Sequence, residues 1–214
     1  MAIAPLSHED LLPGEGIILR KNANAVIDVR EAGLSRFAFD DLMWLVGMRG
    51  KEAIGGRVYL TNYRLVFKAH RFNRVRGTFS VFLPSIEEVR DSSFAVTRQA
   101  TVSTATQDLT FVVWGVPQLI DTIDQCRAEF DDAYITELAT LVLAEPWKIG
   151  HGLQTVARYE ALNMSLSAAR MRGDFSTAAT TIANMIDSRF NRAEVAGALQ
   201  VVDLLTRAGK RPST

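Results

Sequence analysis

The amino-acid sequence predicts an α+β fold, with strands in its first half and helices in its second. Short extended segments separated by turn-forming residues follow one another from about residue 17 to residue 114. Beyond residue 114 the apolar residues recur every three or four positions, as they do along one face of a helix. So many short strands ahead of this change in period favour a small barrel or sandwich over a βαβ sheet.

The extended segments are predicted at residues 17–20, 25–29, 57–61, 64–69, 79–83, 94–98, 101–105 and 109–114. Two of them are separated only by Asn62 and Tyr63. This spacing is typical of a hairpin with a two-residue turn, and Asn tolerates the positive φ that such a turn needs. We therefore expect 57–61 and 64–69 to pair as a hairpin.

The register of this hairpin follows from the alternation of side chains along a strand. If Arg57 faces Lys68, the apolar residues of both strands share one face: Val58, Leu60, Leu65 and Phe67. The other face carries Arg64 and the facing cations Arg57 and Lys68. Like charges placed opposite one another cost about a few tenths of a kcal/mol, so an acidic side chain or a bound anion would relieve the pair.

A single long helix is predicted to close this half of the chain. It begins at Pro117, whose missing N–H suits a first helical turn, and ends near Pro146. Its apolar stripe consists of Leu119, Ile123, Cys126, Phe130, Tyr134, Leu138, Leu141 and Val142. We expect one domain over residues 1–145 and a helical region over residues 146–214.

The helical region contains three further predicted helices. One spans 153–172, one follows a capping Asp174, and one starts at the Asn191 and Glu194 capping pattern and runs to about Ala208. Many Ala, Ser, Thr and Gly residues let such helices approach closely. We therefore expect a small helical hairpin or bundle, which resembles no family that we can name.

The charge of the chain is polarised although its total is zero, with 24 basic and 24 acidic residues. Between Arg57 and Ile86 the charged residues are all basic, whereas the long helix is rich in Asp and Glu. Two interpretations remain open. The two regions neutralise each other across the fold, or the basic strand and loop form a surface for an anionic partner, in which each cation near an anionic membrane contributes about 1 kcal/mol.

Several separated motifs resemble a GRAM domain, a member of the pleckstrin-homology-like (PH-like) superfamily. They are Pro-Gly-Glu at 13–15, Gly-Arg-Val-Tyr-Leu-Thr-Asn at 56–62, Arg-Leu-Val-Phe at 64–67, a hydrophobic strand entering Pro-Ser-Ile across 81–89, and the aromatic strand 111–114 before the helix. The match covers about residues 10–130. It implies a PH-like curved β-barrel or sandwich closed at one end by the long helix.

Members of this family are associated with membranes, phosphoinositides or other lipid head groups, and protein partners, although fold likeness alone transfers no ligand. The residues that we expect to contact an anionic lipid or phosphate are Arg57, Arg64, Lys68, His70, Arg71, Arg74 and Arg76. Arg forms forked bonds to phosphate, Lys supplies a point charge, and His gains charge in mild acid.

An insertion between the early strands departs from a compact family member. It carries an apolar cluster that includes Leu42, Met43, Trp44 and Leu45, flanked by basic residues. Such a cluster could enter a bilayer interface, where Trp is favoured. Packing on the chain's own barrel or on another subunit is the interpretation that we favour.

The sequence contains no pattern that indicates catalysis, a cofactor or a metal. The three His residues are far apart, Cys126 lies on an apolar stripe and is interpreted as a core residue, and the nucleophile, P-loop and dinucleotide motifs are absent. Nucleic-acid binding ranks third, since acidic residues cancel the basic strip. The first residues do not resemble a secretory signal, and no apolar run is long enough for a bilayer span.

We therefore expect a noncatalytic binding module that attaches peripherally to an anionic membrane or to a phosphorylated lipid head group. One cysteine fits a reducing, cytoplasmic location. The alternative is a protein-interaction adaptor or a homo-oligomer that uses the barrel and the Ala-rich helices. Salt distinguishes the two, because anionic-surface binding weakens as ionic strength rises and apolar docking does not.

Overall fold

The computed structural model describes residues 6–28, 51–70, 78–149, 173–185 and 192–209. Several predicted features lie outside these ranges. They are the apolar cluster Leu42, Met43, Trp44 and Leu45, the loop cations Arg71, Arg74 and Arg76, and the helix predicted at 153–172. Within the described ranges the chain has an α+β architecture, as predicted.

The elements in chain order are strands β1 (Ile17–Asp28), β2 (Lys51–Thr61), β3 (Arg64–Ala69), β4 (Thr78–Phe82), β5 (Ile86–Asp91), β6 (Gln99–Thr104) and β7 (Asp108–Val113), followed by helices α1 (Val116–Arg127), α2 (Asp132–Ala144), α3 (Phe175–Met185) and α4 (Arg192–Gly209). Short 3-10 turns span His8–Asp10, Leu83–Ser85 and Pro146–Ile149. The start of α3 confirms Asp174 as a cap, since its Oδ1 accepts the N–H of Thr177 at 3.1 Å.

The strands of the described chain form one antiparallel sheet in the order β4-β3-β2-β1-β7-β6-β5. Strand β1 is central because it pairs with β2 on one side and, through Ala23 to Val26, with β7 on the other. The two segments predicted at 17–20 and 25–29 are therefore one continuous strand. Strand β5 was not predicted, and the segment predicted as a strand at 94–98 is instead a hairpin tip with an isolated bridge.

One face of the sheet and helix α1 enclose one hydrophobic core. The helix contributes Val116, Leu119, Ile123 and Cys126, which confirms Cys126 as a core residue. Helices α2, α3 and α4 form a second core together with Leu12, Tyr63 and Phe82 of the first half of the chain. The predicted boundary near residue 145 stays a prediction, but the helical region shares apolar packing with the sheet.

The single long helix predicted from Pro117 to Pro146 is wrong. The chain forms α1 and α2, which are separated by residues 128–131. Helix α2 has its own start because Oδ1 of Asp131 accepts the N–H of Tyr134 at 2.8 Å, an N-cap bond that a continuous helix would not make. The predicted position of Pro117 in a first helical turn is confirmed.

The hairpin register predicted for β2 and β3 is confirmed, with Arg57 opposite Lys68 and Leu60 opposite Leu65. The turn chemistry differs from the expectation. Among the described non-glycine residues only Ala95 has positive φ, so Asn62 does not use that conformation. Its side chain instead accepts from the N–H of Gly16 at 2.7 Å and donates to the carbonyl of Gly14 at 3.1 Å, which ties the turn to the N-terminal segment.

Candidate functional site

Arg64 is a buried structural residue, with only 1% of its surface exposed. Its Nε donates to Oε1 of Glu15 at 2.8 Å and one Nη donates to Oε2 at 3.0 Å. The other guanidinium bonds reach Oγ of Ser80 and the backbone carbonyls of Asp10 and Lys148. The expectation that Arg64 contacts a ligand is therefore corrected, because protein groups surround its donors.

The N-terminal segment covers the outer face of the β2–β3 hairpin. Leu6 and Leu11 pack on Tyr59 and Val66, which alternation places on the face opposite the main core. Lys68 forms an ion pair with Asp10 at 3.1 Å. The predicted repulsion between Lys68 and Arg57 is thus relieved by an acidic side chain, and this acid comes from the N-terminal segment rather than from the helices.

The same contact holds Asp10 in its charged form. Burial acts to raise the pKa of Asp10, but hydrogen bonds from the Ser7 backbone, from Lys68 and from the Ser7 hydroxyl outweigh it. The pKa of Asp10 is consequently lowered from its ordinary value of 3.8. Lys68 is therefore an anchor for the N-terminal segment, and it does not line the cleft described next.

An open cleft of about 730 Å³ lies on the outer face of β7, β1 and β2, and we call it the outer cleft. Its floor follows from the sheet register, in which Asn22 pairs with Arg57 and Asn24 pairs with Gly55. Because Gly55 has no side chain, the outer face is hollow beside Asn24. His70 borders this hollow, and its N–H donates to the carbonyl of Gly55 at 2.9 Å.

The other wall of the outer cleft comes from β7 and from the loop between β5 and β6. Val112 and Trp114 lie along β7 and at its end, and Val96, Thr97 and Arg98 face them. The N–H of Val113 donates to the carbonyl of Arg98 at 3.0 Å, which holds the loop against the strand. The wall is therefore fixed by a backbone bond that extends the pairing of β6 with β7.

The charge of the outer cleft is positive. The ionisable residues among its described lining are Arg57, His70 and Arg98. Nε of Arg57 donates to Oδ1 of Asn22 at 3.1 Å, which orients the guanidinium along the floor. Asp91 interacts with Arg98: hydrogen bonds from Ser93 lower the pKa of Asp91, and the charge of Arg98 adds a smaller contribution.

This arrangement has the chemistry to hold an anion. Two guanidinium groups and an imidazole, beside two Asn side chains, offer many N–H donors and a local positive charge. In the part of the chain that the structure describes, no group of three or more His, Cys, Asp or Glu side chains could hold a metal ion. Helices long and apolar enough to cross a membrane are also absent from that part.

The structure thus brings two of the predicted contacts, Arg57 and His70, into one site. It separates Arg64 and Lys68 from that site. Sequence reasoning missed Trp114 because it ends a predicted strand, and it missed Val96 and Arg98 because the segment 94–98 resembles a strand. The signal for them was present, since Phe-Ala-Val-Thr-Arg follows Asp-Ser-Ser and precedes the next strand, as a hairpin tip does.

Comparisons with known proteins add little to this description. No family model matches the chain, and no curated protein matches it. Among solved structures, the C-terminal domain of an unknown protein from Leishmania infantum matches with a TM-score of 0.38 and 12% identity over 55% of this chain and 88% of that one. The Vps36 N-terminal PH domain matches with a TM-score of 0.36 and 14% identity over 55% of this chain and 83% of that one. Likenesses this weak assign neither a fold family nor a function.

Proposed function

We propose that this protein is a noncatalytic binding module that attaches peripherally to membranes by holding an anionic lipid head group in the outer cleft. The observation that carries the proposal is the convergence of Arg57, His70 and Arg98 on one cleft without a carboxylate among its described lining residues. A lipid phosphate would accept forked bonds from the guanidinium groups. His70 would add an imidazole N–H donor.

The resemblance to a GRAM domain supports the same proposal. The described chain has a seven-stranded antiparallel sheet on which the following helix packs. This is compatible with the curved β-barrel or sandwich, closed by a helix, that the resemblance implies. The motifs of the resemblance also contact one another, because Glu15 of the Pro-Gly-Glu motif binds Arg64 of the Arg-Leu-Val-Phe motif. We propose on these grounds that the chain is a GRAM-like, PH-like module.

A protein partner or a second copy of the chain is the alternative occupant. The sequence favoured the Ala-rich helices as the surface for such a partner. The structure weakens that support, because Ala178 and Ala179 are buried in the protein's own core. Gly209 likewise lies close to Ser176, where a Cβ would come within 3.2 Å of the Ser176 nitrogen. The small residues therefore serve packing between α3 and α4.

The proposal is tested by co-sedimentation of the full chain with phosphatidylcholine vesicles that contain or lack anionic lipid. The double variant Arg57→Gln, Arg98→Gln is expected to bind anionic vesicles roughly thirtyfold more weakly, since each cation near an anionic surface contributes about 1 kcal/mol. Arg90→Gln is the matched control, because Arg90 is half exposed on β5 and does not line the cleft. Raising the salt concentration should weaken parent binding.

Two outcomes would overturn the proposal. One is that the parent fails to bind anionic vesicles at low salt. The other is that the double variant binds as tightly as Arg90→Gln. A separate triple variant, Arg71→Gln, Arg74→Gln, Arg76→Gln, tests the predicted contacts that lie outside the described residues.

A further inference from the structure

The segment between β5 and β6 is a hairpin whose tip is apolar. The N–H of Ser92 donates to the carbonyl of Gln99 at 2.9 Å, and Phe94 and Thr97 exchange backbone bonds of 3.0 and 2.9 Å. Ala95 and Val96 therefore form a two-residue turn, and Ala95 has a φ of 51°. Gly, Asn or Asp normally occupies such a turn, because an L-residue with a Cβ is strained at positive φ.

The side chains at this tip are open to solvent. Phe94 is 70% exposed and Val96 is 90% exposed. Exposed apolar residues scattered singly are ordinary on protein surfaces, but here the polar residues expected at a turn are replaced by three consecutive apolar ones. Neither the turn geometry nor packing within the fold accounts for this choice of residues.

Trp114 adds a fourth exposed apolar residue beside the tip. It is 80% exposed and directly follows Val113, whose N–H binds the carbonyl of Arg98. Trp114 and Val96 consequently line the same side of the outer cleft. We call Phe94, Ala95, Val96 and Trp114 the apolar edge.

The apolar edge borders the basic residues of the cleft. Arg98 lies two positions from Val96 on the same hairpin, and Arg57 and His70 lie across the cleft. Asp91 is the acidic residue that interacts with Arg98. On the helix side, Nζ of Lys21 donates to Oε1 of Gln118 at 2.8 Å, near the glycine that follows Trp114.

This combination matches the cross-section of an anionic bilayer. Trp and aliphatic side chains are favoured at the boundary between head groups and acyl chains, while cations remain at the level of the phosphates. We infer that the apolar edge enters the interface of an anionic bilayer while the outer cleft engages a lipid phosphate. The inference rests on the proposed function, and it adds the residues that contact the acyl region and the orientation of the protein on the membrane.

The test compares the full-length parent with the double variant Phe94→Ser, Val96→Ser on vesicles of phosphatidylcholine with and without phosphatidylserine. The variant is expected to bind anionic vesicles about tenfold more weakly, because less apolar area is removed from water. Ile18→Ser is the matched control. Ile18 is 51% exposed and lies four residues along β1 from Asn22, about 13 Å at roughly 3.3 Å per residue.

A second readout reports depth directly. Lipids brominated on their acyl chains should quench tryptophan emission of the bound parent, and Trp114→Phe should lose that part of the quenching. The thermal unfolding midpoint of each variant is compared with that of the parent to show that folding is retained. Because all of the substituted side chains are exposed, the midpoints are expected to agree.

The outcomes separate this inference from the proposed function. Weaker binding of Phe94→Ser, Val96→Ser together with lost quenching in Trp114→Phe supports insertion. Undiminished binding and unchanged quenching in these variants overturn insertion while leaving the lipid site intact. If the parent binds a soluble inositol phosphate but not vesicles, insertion is overturned and the cleft serves a free phosphate. If the parent binds no vesicle and no phosphate, both proposals fail. In that case, a protein that binds the parent but not Phe94→Ser, Val96→Ser would assign the apolar edge to a protein partner.

Discussion

Nε of Arg64 lies 2.8 Å from Oε1 of Glu15, and both side chains are almost fully buried. The same Glu15 carboxylate accepts the N–H of Leu12 at 2.7 Å and the hydroxyl of Thr61 at 2.8 Å. Its two oxygens are therefore matched by donors from the N-terminal segment and from the hairpin. The pair holds these two parts of the chain together.

Removing the Glu15 carboxylate should destabilise the folded protein. Glu15→Ala leaves the Arg64 guanidinium buried without its counter-charge, and we expect the free energy of unfolding to fall by about 3–5 kcal/mol. Urea unfolding measures this loss. Glu88→Ala is the control, because it breaks the half-exposed Arg90–Glu88 pair of 3.2 Å and should cost about 1 kcal/mol or less. Equal losses in the two variants would contradict the structural role of the buried pair.

Acid should weaken the attachment of the N-terminal segment. The pKa of Asp10 is lowered in the folded protein, so its stabilising contribution is fully present above the unfolded value of 3.8 and is lost as the pH falls through the lower folded value. Because Asp10 is partly exposed, its contribution is screened and we expect less than about 1 kcal/mol.

Urea unfolding of the parent and of Asp10→Asn at several pH values measures this contribution. The difference in unfolding free energy between them should be constant from about pH 7 to pH 5 and should shrink as the pH falls below 3.8 and through the lowered folded pKa of Asp10. A difference that stays the same in acid would show that the Asp10 carboxylate does not stabilise the fold through its charge.

The Cys126 thiol should be unreactive in the folded protein. Burial, followed by the nearby charge of Glu129, raises the pKa of Cys126, so a smaller fraction is thiolate at any given pH. We expect a chromogenic disulfide reagent to modify the native thiol at least about a hundredfold more slowly than the unfolded thiol, because access requires opening of the core. Rapid modification of the folded protein would place Cys126 outside the core.

The sequence predicted the hairpin of β2 and β3 well because local rules determine it. Side chains alternate between faces, and the register set by the two-residue turn brings Val58, Leu60, Leu65 and Phe67 to the same face. The start of α3 was predictable for the same reason, since Asp174 caps a helix through bonds to its own neighbours. Helix α2 was missed because the apolar period continues across Asp131, and the competing cap bond is not visible in periodicity.

The candidate site was only half predictable. Arg57 and His70 were identified from the charge of their strand, whereas Arg98 and Trp114 come from distant segments that meet through the bond between Val113 and Arg98. Arg64 was assigned to a ligand because alternation places it on the face opposite the core. Nothing in alternation indicates that residues 6–15 return to cover that face.

The sequence by itself determined the α+β class of the fold, the pairing of β2 with β3, and the positive charge of the segment that contains Arg57 and His70. Tertiary structure decided which cations remain accessible, by burying Arg64 against Glu15 and pairing Lys68 with Asp10 while leaving Arg57 in an open cleft. The physical reason is the distance along the chain over which each effect acts. Alternation and capping act over a few residues, but the exposure of a charge depends on chain segments that are tens of residues away.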